Sequence, residues 1–433
     1  MKRLIMNDLL RWKDDKGRKP LLLTGVRQCG KTTILKVFGN EYFDDVAYVN
    51  LEQNPQLASI FDYDLNPERI IRDLNMLFLN KEIIVGKTLL ILDEIQKVPN
   101  AITALKYFNE DLPQLHVIGA GSLLGISLRN QQASFPVGKV DRLEMFPMSF
   151  QEFLIAHHFE YTNPIITFKQ VPKLYEESMI QLLKDYYLIG GMPEAVKLWI
   201  ETKDYNKVSQ FQEALIEDYK NDFVKHAPIT EFTNLLEIYN AIVPQLSKDN
   251  QKFVFSKVKK SARAQTYEKS LEWLVDAGLI HLLKKVSYPD IPLDGHADHS
   301  FFKVYFCDVG LLSRKAGINN INDLNNLNNK GFFKGALTEN FVLTELLNQN
   351  FKPYYWKSEH TAELDFLIQH HQNVIPIEAK STINTQAKSF NVYLEKYEPP
   401  IGFKVSLKNL SQSAPNIVHL PLYLTYRIRE FLS

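Results

Sequence analysis

The feature that most constrains this chain is a glycine-bounded segment, Gly25 to Thr32, which reads GVRQCGKT. It matches the pattern G-x-x-x-x-G-K-[ST], in which the glycines let successive backbone N–H groups curl around phosphate oxygens. The apolar run Pro20 to Thr24 precedes it, and the helical pattern Thr32 to Phe38 follows it. A loop between a strand and a helix suits an anion, because the positive end of the helix faces it. The segment therefore predicts a phosphate-binding loop.

Two residues of this loop have their own predicted roles. Lys31 is expected to reach the β and γ phosphate oxygens, and the Thr32 hydroxyl is expected to contact Mg²⁺. The structural alternative, a plain glycine turn, is disfavoured by the flanking strand and helix. The predicted nucleotide contacts from this segment are Gly25, Val26, Arg27, Gln28, Cys29, Gly30, Lys31, Thr32 and Thr33.

An acidic pair follows the apolar run Leu89 to Leu92. Ligands of open α/β sheets bind at the carboxyl ends of the strands, where Asp93 and Glu94 would lie. Asp93 suits a ligand of Mg²⁺, and Glu94 suits a base that orients the attacking water. Such a pair is often only a helix cap, but the phosphate loop favours the catalytic interpretation. The next predicted strand ends before Ser122, which is a candidate sensor of the γ-phosphate or simply a turn residue.

The first 150 residues alternate apolar runs with helical patterns, which is typical of βαβ units and a mostly parallel sheet. The predicted strands are Pro20 to Thr24, Val46 to Leu51, Thr88 to Leu92 and Leu115 to Ala120. The predicted helices are Thr32 to Phe38, Asn66 to Leu79 and Asn100 to Asn109. Arg129 and Arg142 follow as candidate arginine fingers, although solvated arginines are an equally good interpretation.

Composition narrows the class of protein. A chain of 433 residues suggests about three domains. Its 45% hydrophobic and 23% charged residues are typical of globular proteins, and 50 basic residues balance 50 acidic ones, so the whole molecule is not a polycation. Two cysteines, Cys29 and Cys307, make no disulfide framework. With no signal peptide or membrane-spanning run, we expect a cytoplasmic protein.

The predicted secondary structure and the charge change in the middle of the chain. Ser149 followed by Glu152 predicts a capping box, and the pattern beyond it is helical to about Leu246. Residues 251–285 carry eight lysines and arginines against three acids. Predicted helices Ser261 to Lys269 and Ser270 to Ala277, then the β-prone run Leu279 to Val286, suggest a helix-turn-helix with a wing. Both DNA contact and a purely structural role remain open. The asparagine-rich residues 318–330 are predicted to be a connector.

The tail of the chain has a third group of polar residues. Asp365 lies on one predicted strand, and Glu378 and Lys380 lie on the next. Residues i and i+2 of a strand share a face, so Glu378 and Lys380 point together. Two carboxylates facing across a hairpin suit Mg²⁺, and a nearby lysine stabilises developing charge. A solvated charged face is the alternative interpretation.

This order of helix, hairpin, Asp and Glu-x-Lys resembles the PD-(D/E)xK nuclease fold of restriction endonucleases. The resemblance implies that Asp365 and Glu378 are metal ligands, Lys380 is the catalytic lysine and Glu339 is the acid on the helix. Leu364 stands where that family often has proline. Activity does not follow from the fold, because such domains also serve only to bind DNA or a partner.

Three motifs together resemble the AAA-type P-loop ATPases with a DUF4143-type C-terminal domain: GVRQCGKTT, ILDEIQ and FPMSFQEFL. They are also similar to the archaeal-type branch of the signal-transduction ATPases with numerous domains (STAND). The resemblance implies an additional-strand ATPase using ATP and Mg²⁺, and Pro193 in the segment LIGGMPEA would contact the nucleotide.

The expected fold is α/β and has four parts. These are a P-loop ATPase domain (1–155), a helical lid (156–246), a winged helix-turn-helix (247–317) and a nuclease-like domain (318–433). ATP and DNA are the expected partners, with no membrane. A nucleotide-gated scaffold, whose C-terminal domain binds a protein partner, is the alternative function.

Overall fold

A computed structural model gives the fold of the chain. It describes residues 1–77, 82–122, 136–158, 171–228, 230–248, 251–259, 263–327, 332–359, 361–384 and 386–432. These residues form two compact units. The first unit comprises Met1–Phe146 and Asp276–Leu279, and the second comprises Pro147–Val275 and Ile280–Ser433.

The first unit contains a five-stranded parallel sheet. Its strands are β1 Leu21–Thr24, β2 Asp45–Asn50, β3 Thr88–Asp93, β4 His116–Ala120 and β5 Asp141–Glu144. Their spatial order is β2-β3-β4-β1-β5, so β4 separates β1 from β3 and β2 lies at an edge. All four strands predicted from apolar runs are confirmed within one residue at each end. Because the strands are parallel, their carboxyl ends share one edge of the sheet.

Helices pack around this sheet because its central strands are apolar on both faces. Every residue of β3 and β4 is buried, as expected for strands in the middle of a parallel sheet. The helices are Met6–Asp14, Lys31–Tyr42, Ala58–Tyr63, Pro67–Leu77 and Pro99–Asp111. The three helices predicted in this unit are confirmed.

The second unit begins with helices. The capping box is confirmed, since the Ser149 hydroxyl accepts a hydrogen bond from the Glu152 amide and the Glu152 carboxylate accepts one from the Ser149 amide. The helices are Phe150–Ala156, Lys173–Ile189, Pro193–Thr202, Tyr205–His226, Phe232–Leu246, Ala264–Asp276, Val309–Lys315, Ile321–Asn326, Phe332–Asn348 and Lys388–Tyr397. Residues Leu422–Phe431 form 3₁₀-helical turns.

Two expectations for this region are corrected. Residues Ala264–Asp276 are one helix, not the two predicted with a break before Ser270. The asparagine-rich segment is not a plain connector, because Asn320 caps the short helix Ile321–Asn326 by accepting hydrogen bonds from the amides of Asn322 and Asp323.

An eight-stranded mixed sheet forms the rest of the second unit. Its strands are β6 Ile280–Val286, β7 Ala297–Phe306, β8 Tyr354–Lys357, β9 Glu363–His370, β10 Asn373–Ala379, β11 Gly402–Ser406, β12 Ser411–Ala414 and β13 Ile417–Pro421. The order is β12-β13-β11-β10-β9-β8-β6-β7. The hairpin of β6 and β7, predicted as a wing, therefore belongs to the same sheet as the predicted nuclease-like strands.

The two faces of this sheet differ in chemistry. One face supplies Trp356 and Leu364 to a core completed by Phe390 and Tyr393 of the helix Lys388–Tyr397. Strand alternation places Glu363 and other charged residues on the opposite face. In the described part of the chain, no helix is both long and apolar enough to cross a membrane.

Candidate functional site

The phosphate loop of the first unit has the backbone that only its glycines permit. Gly25 and Gly30 have φ angles of +147° and +99°, a region that side chains with a Cβ rarely adopt. A Cβ on Gly25 would also lie 2.2 Å from the carbonyl oxygen of Met145. Gly30 then begins the helix Lys31–Tyr42, whose amino end faces the loop. The loop joins β1 to a helix, as the sequence predicted.

Lys31 folds back over this loop. Its ammonium Nζ donates hydrogen bonds to the carbonyl oxygens of Gly25, at 2.8 Å, and Val26, at 2.9 Å. The side chain is only 7% exposed. The buried cation is therefore held at the mouth of the loop, where phosphate oxygens can replace the carbonyls as its partners.

Thr32 and Asp93 come together although they lie 61 positions apart in the sequence. The Thr32 hydroxyl donates a hydrogen bond to Asp93 Oδ2 at 2.8 Å, and the Tyr48 hydroxyl donates to the same oxygen at 2.7 Å. Burial, together with the nearby Asp93 carboxylate, raises the pKa of Tyr48 to about 12, so this phenol remains a donor. A hydroxyl beside a buried carboxylate is a pair of hard oxygen ligands, which fits Mg²⁺.

Glu94 begins the turn after β3 in the left-handed backbone region, with φ of +52°. Its carboxylate accepts a hydrogen bond of 2.5 Å from the side-chain amide of Gln96. Gln96 in turn approaches the backbone of Gly121, because a Cβ at that glycine would lie 2.1 Å from Gln96 Oε1. Ser122 follows and is 8% exposed. Glu94 and the residues after β4 thus lie at the same edge of the sheet.

The other residues predicted to bind nucleotide differ in exposure. Arg27, Gln28 and Thr33 are exposed, whereas Val26 is buried. Cys29 is fully buried beside the Met145 carbonyl, so only its backbone faces the loop. Arg142 is exposed on β5. Arg129 lies outside the described residues. Pro193 is the first residue of the helix Pro193–Thr202 in the second unit.

The second unit brings its predicted acidic residues together on the polar face of the large sheet. The backbone amide of Ala379 on β10 donates a hydrogen bond of 2.8 Å to Asp365 Oδ2 on β9. Glu378 Oε1 pairs with Lys380 Nζ at 2.6 Å. The other oxygen, Glu378 Oε2, is buried and has no hydrogen-bond partner among the described residues, and the side chain is 5% exposed. An unsatisfied buried carboxylate oxygen is costly unless something else completes it.

Burial and neighbouring charges shift the pKa values of the carboxylates in this cluster. Burial, with the charges of Glu378 and Glu339, raises the pKa of Asp365 well above its usual range. Burial also raises the pKa of Glu378, against the opposing effect of Lys380. Two buried carboxylates repel each other when both are ionised, and a cation beside them reduces that repulsion.

The sequence analysis did not predict the buried lysine that lies in this cluster. Lys303 on β7 is 4% exposed and lies 3.4 Å from Glu339 Oε2 and 3.0 Å from Glu363 Oε1. Burial lowers the pKa of Lys303, but the carboxylates outweigh it, so the pKa stays well above its ordinary value. The signal in the sequence was a single lysine inside the apolar run Phe301 to Phe306.

Two further missed residues hold the helix acid Glu339. The Tyr305 hydroxyl donates to Glu339 Oε2 at 2.5 Å, and the Gln251 amide donates to Glu339 Oε1 at 3.1 Å. Glu339 is thereby engaged by three donors, including Lys303. Among the described residues, no three His, Cys, Asp or Glu side chains converge so as to hold a metal ion. Asp365 and Glu378 supply a pair of hard oxygen ligands for one.

Three family models match successive parts of the chain. Residues 17–154 match the AAA domain, residues 180–322 match a domain of unknown function (DUF8612), and residues 334–424 match another domain of unknown function (DUF4143). Among curated proteins, none matches the chain.

Several solved structures match the chain at low sequence identity. A Walker-type ATPase of Pyrococcus abyssi is 15% identical, with 73% of this chain and 95% of that chain covered and a TM-score of 0.46. The ORC2 protein of Aeropyrum pernix in its ADPNP-ADP complexes is 15% identical, with 73% and 91% covered and a TM-score of 0.35. A STAND protein with a tetratricopeptide repeat sensor from Pyrococcus horikoshii is 14% identical, with 79% and 48% covered and a TM-score of 0.27.

The family matches and the loop geometry lead to the same classification of the first unit. Its parallel sheet, glycine loop and paired Thr32 and Asp93 are those of a P-loop protein, and the AAA domain match spans all five strands. The chain therefore combines an AAA-type P-loop domain with a C-terminal DUF4143 domain.

Proposed function

We propose that the first unit binds and hydrolyses ATP with Mg²⁺ and that the chain acts as a nucleotide-dependent switch. The observation that carries this proposal is the hydrogen bond between Thr32 and Asp93, at the sheet edge that also holds Lys31 and Glu94. ATP is favoured over GTP because the sequence has no guanine-reading N-K-x-D motif.

Each residue has a distinct role in this proposal. The loop amides and Lys31 bind the phosphates, while Thr32 and Asp93 would hold Mg²⁺, which supplies positive charge against the phosphate oxygens. Glu94 accepts a proton from the attacking water. Ser122 detects the γ-phosphate, and Pro193 contacts the nucleotide. Arg129 and Arg142 are candidates for stabilising the transition state.

The test is Glu94→Gln, which keeps the size of the side chain and removes its basicity. We expect ATP to bind with unchanged affinity and hydrolysis to fall by about 100-fold or more. The control is Glu68→Gln on the exposed start of the helix Pro67–Leu77. Lys31→Ala should instead weaken ATP binding. Hydrolysis at the wild-type rate in Glu94→Gln would show that the base is wrongly assigned.

For the second unit we propose a nuclease-like site that acts on DNA. The supporting observation is the convergence of Asp365, Glu378 and Lys380 with one buried carboxylate oxygen left unsatisfied. Asp365 and Glu378 would hold Mg²⁺, Lys380 would stabilise charge on the phosphate, and Glu339 would support the site from its helix. The lysines and arginines of the basic segment 251–285 would contact DNA.

Cleavage assays test this second proposal. Single-stranded DNA, duplex DNA and RNA are incubated with Mg²⁺ or Mn²⁺, with and without ATP, using wild type, Asp365→Ala and Glu378→Ala. Glu395→Gln on the exposed side of the helix Lys388–Tyr397 is the matched control. We expect cleavage to disappear in both site variants while ATP hydrolysis continues. Cleavage that survives both substitutions would place the chemistry elsewhere.

One observation favours the alternative of an ATP-gated scaffold. Lys303 already neutralises Glu339 and Glu363, so two acids of the cluster are occupied by a protein cation. In a scaffold, the C-terminal domain would bind a protein partner or nucleic acid without cutting it. Wild type that binds ATP but cleaves none of the substrates would support this alternative.

A further inference from the structure

An exposed aromatic ring lies among lysines in the second unit. Phe301 on β7 is 36% exposed. Lys252 Nζ lies 3.4 Å and Lys285 Nζ lies 4.9 Å from the centroid of its ring. We call Phe301, Lys252 and Lys285 the Phe301 platform. A lysine over an aromatic ring is held there by the cation–π attraction.

The platform shares a sheet face with the carboxylate cluster. Lys303 and Tyr305 on β7 contact Glu339. The register between β6 and β7 shifts beside Phe301, because Lys284 is paired with Phe302 and Lys285 with Asp298, so alternation along β7 does not place Phe301. Its contact with Lys285 places it instead: Lys285 is in register with Tyr355, whose ring lies 5.2 Å from Lys303 Nζ, and Lys285 Nζ lies 4.9 Å from the Phe301 ring.

The charge around the platform is positive. Burial lowers the pKa of Lys252, and the positive charges of Lys285 and Lys357 lower it further, against the opposing effect of Asp298. Lys357 also pairs with Glu363 at 2.9 Å, which connects the platform to the carboxylate cluster. Lys252 and Lys285 repel each other beside an exposed ring, and this arrangement favours a polyanion with flat apolar groups.

We propose that the Phe301 platform binds single-stranded nucleic acid: phosphates draw Lys252 and Lys285 off the ring, and an unpaired base takes their place against Phe301. In a duplex the flat faces of the bases are already stacked, so only a single strand offers one to this ring. This inference names the substrate class of the proposed nuclease-like site, and only cleavage of the bound strand depends on that earlier proposal.

Binding is measured by fluorescence anisotropy on the full chain with a labelled oligothymidylate of about 20 nucleotides, which spans one or more sites of the usual size. The buffer contains EDTA and no ATP, so neither cleavage nor hydrolysis contributes. We expect Phe301→Ala to weaken binding by about 10- to 100-fold. Lys252→Ala and Lys285→Ala should each weaken it and reduce the slope of log affinity against log salt by about 0.7.

Matched controls exist elsewhere in the second unit. Lys396 also lies over an aromatic ring, 5.1 Å from the centroid of Tyr397, so Lys396→Ala tests whether any lysine on a ring would give the effect. Tyr175 is 44% exposed, so Tyr175→Ala tests any exposed aromatic residue. Both controls should bind as wild type does, and thermal unfolding verifies that all variants are folded.

Three outcomes would overturn the proposal. These are wild type binding neither single-stranded DNA nor RNA, duplex binding as tightly as the single strand, and Phe301→Ala binding as tightly as wild type. Since the assay needs no metal ion or ATP, failure of the proposed nuclease or ATPase would appear in the other assays and leave this result unchanged.

Discussion

Glu345 provides a test of the electrostatics of the second unit that does not involve either proposed activity. Its side chain on the helix Phe332–Asn348 is fully buried. Oε1 accepts a hydrogen bond of 2.7 Å from the Phe150 amide, and Oε2 is buried with no hydrogen-bond partner in the described part of the chain. Burial, helped by the charge of Glu152, raises the pKa of Glu345 from 4.5 to about 8. The folded protein therefore holds a proton at neutral pH that the unfolded chain releases.

The sign and size of the pH dependence of stability follow from this difference in pKa between the folded and unfolded states. Between pH 4.5 and about 8 the folded state binds more protons than the unfolded state, so the free energy of unfolding falls as the pH rises. Each pH unit corresponds to about 1.4 kcal/mol, so the free energy of unfolding should fall by about 3 to 5 kcal/mol across this pH interval. Glu345→Gln keeps the acceptor for Phe150 and cannot ionise, so it should not show this loss.

The assay is urea unfolding followed by tryptophan fluorescence at several pH values for both proteins. The second unit contains Trp199, Trp273 and Trp356. At about pH 5 we expect the two proteins to be similar, and at about pH 8 the variant should be more stable by about 3 kcal/mol or more. Glu395→Gln, an exposed carboxylate, is the control. A stability difference that does not change with pH would refute the reasoning.

Three further substitutions have expected outcomes. Gly25→Ala places a Cβ against the Met145 carbonyl in a backbone region unfavourable to alanine, so it should weaken nucleotide binding in a titration and lower the melting temperature. Asp308 accepts a hydrogen bond of 2.6 Å from the Gly191 amide and caps the helix Val309–Lys315. Asp308→Ala removes both interactions and should lower the free energy of unfolding in urea by about 2 kcal/mol or more. Lys303→Ala leaves Glu339 and Glu363 without their buried cation, so it should lower the free energy of unfolding in urea by about 3 to 5 kcal/mol.

The sequence predicted the first unit well because its signals are local. The apolar runs that became β1 to β4 are buried strands, and the glycine loop needs only its own residues and its flanks. The spatial order of the strands was not predictable, because parallel pairing depends on helices that return the chain to the sheet. The contact of Tyr48 with Asp93 was missed for that reason: β2 and β3 are neighbours only in the folded sheet.

The single helix Ala264–Asp276 shows how a local signal can mislead. Ser270 resembles a residue that starts a helix, because serine favours caps. In the structure Ser270 is fully buried in mid-helix, and its hydroxyl donates a hydrogen bond to the Glu231 carboxylate. That distant partner satisfies the hydroxyl and lets the helix continue. No pattern within the helix could have indicated it.

The carboxylate cluster connects parts of the chain that the sequence seemed to separate. Lys303 precedes the asparagine-rich segment, whereas Glu339 and Glu363 follow it. Neither the lysine nor the carboxylates can be buried alone, since an unpaired charge in the interior costs several kcal/mol. Strand β6 likewise covers one side of β8, which would otherwise be an open edge.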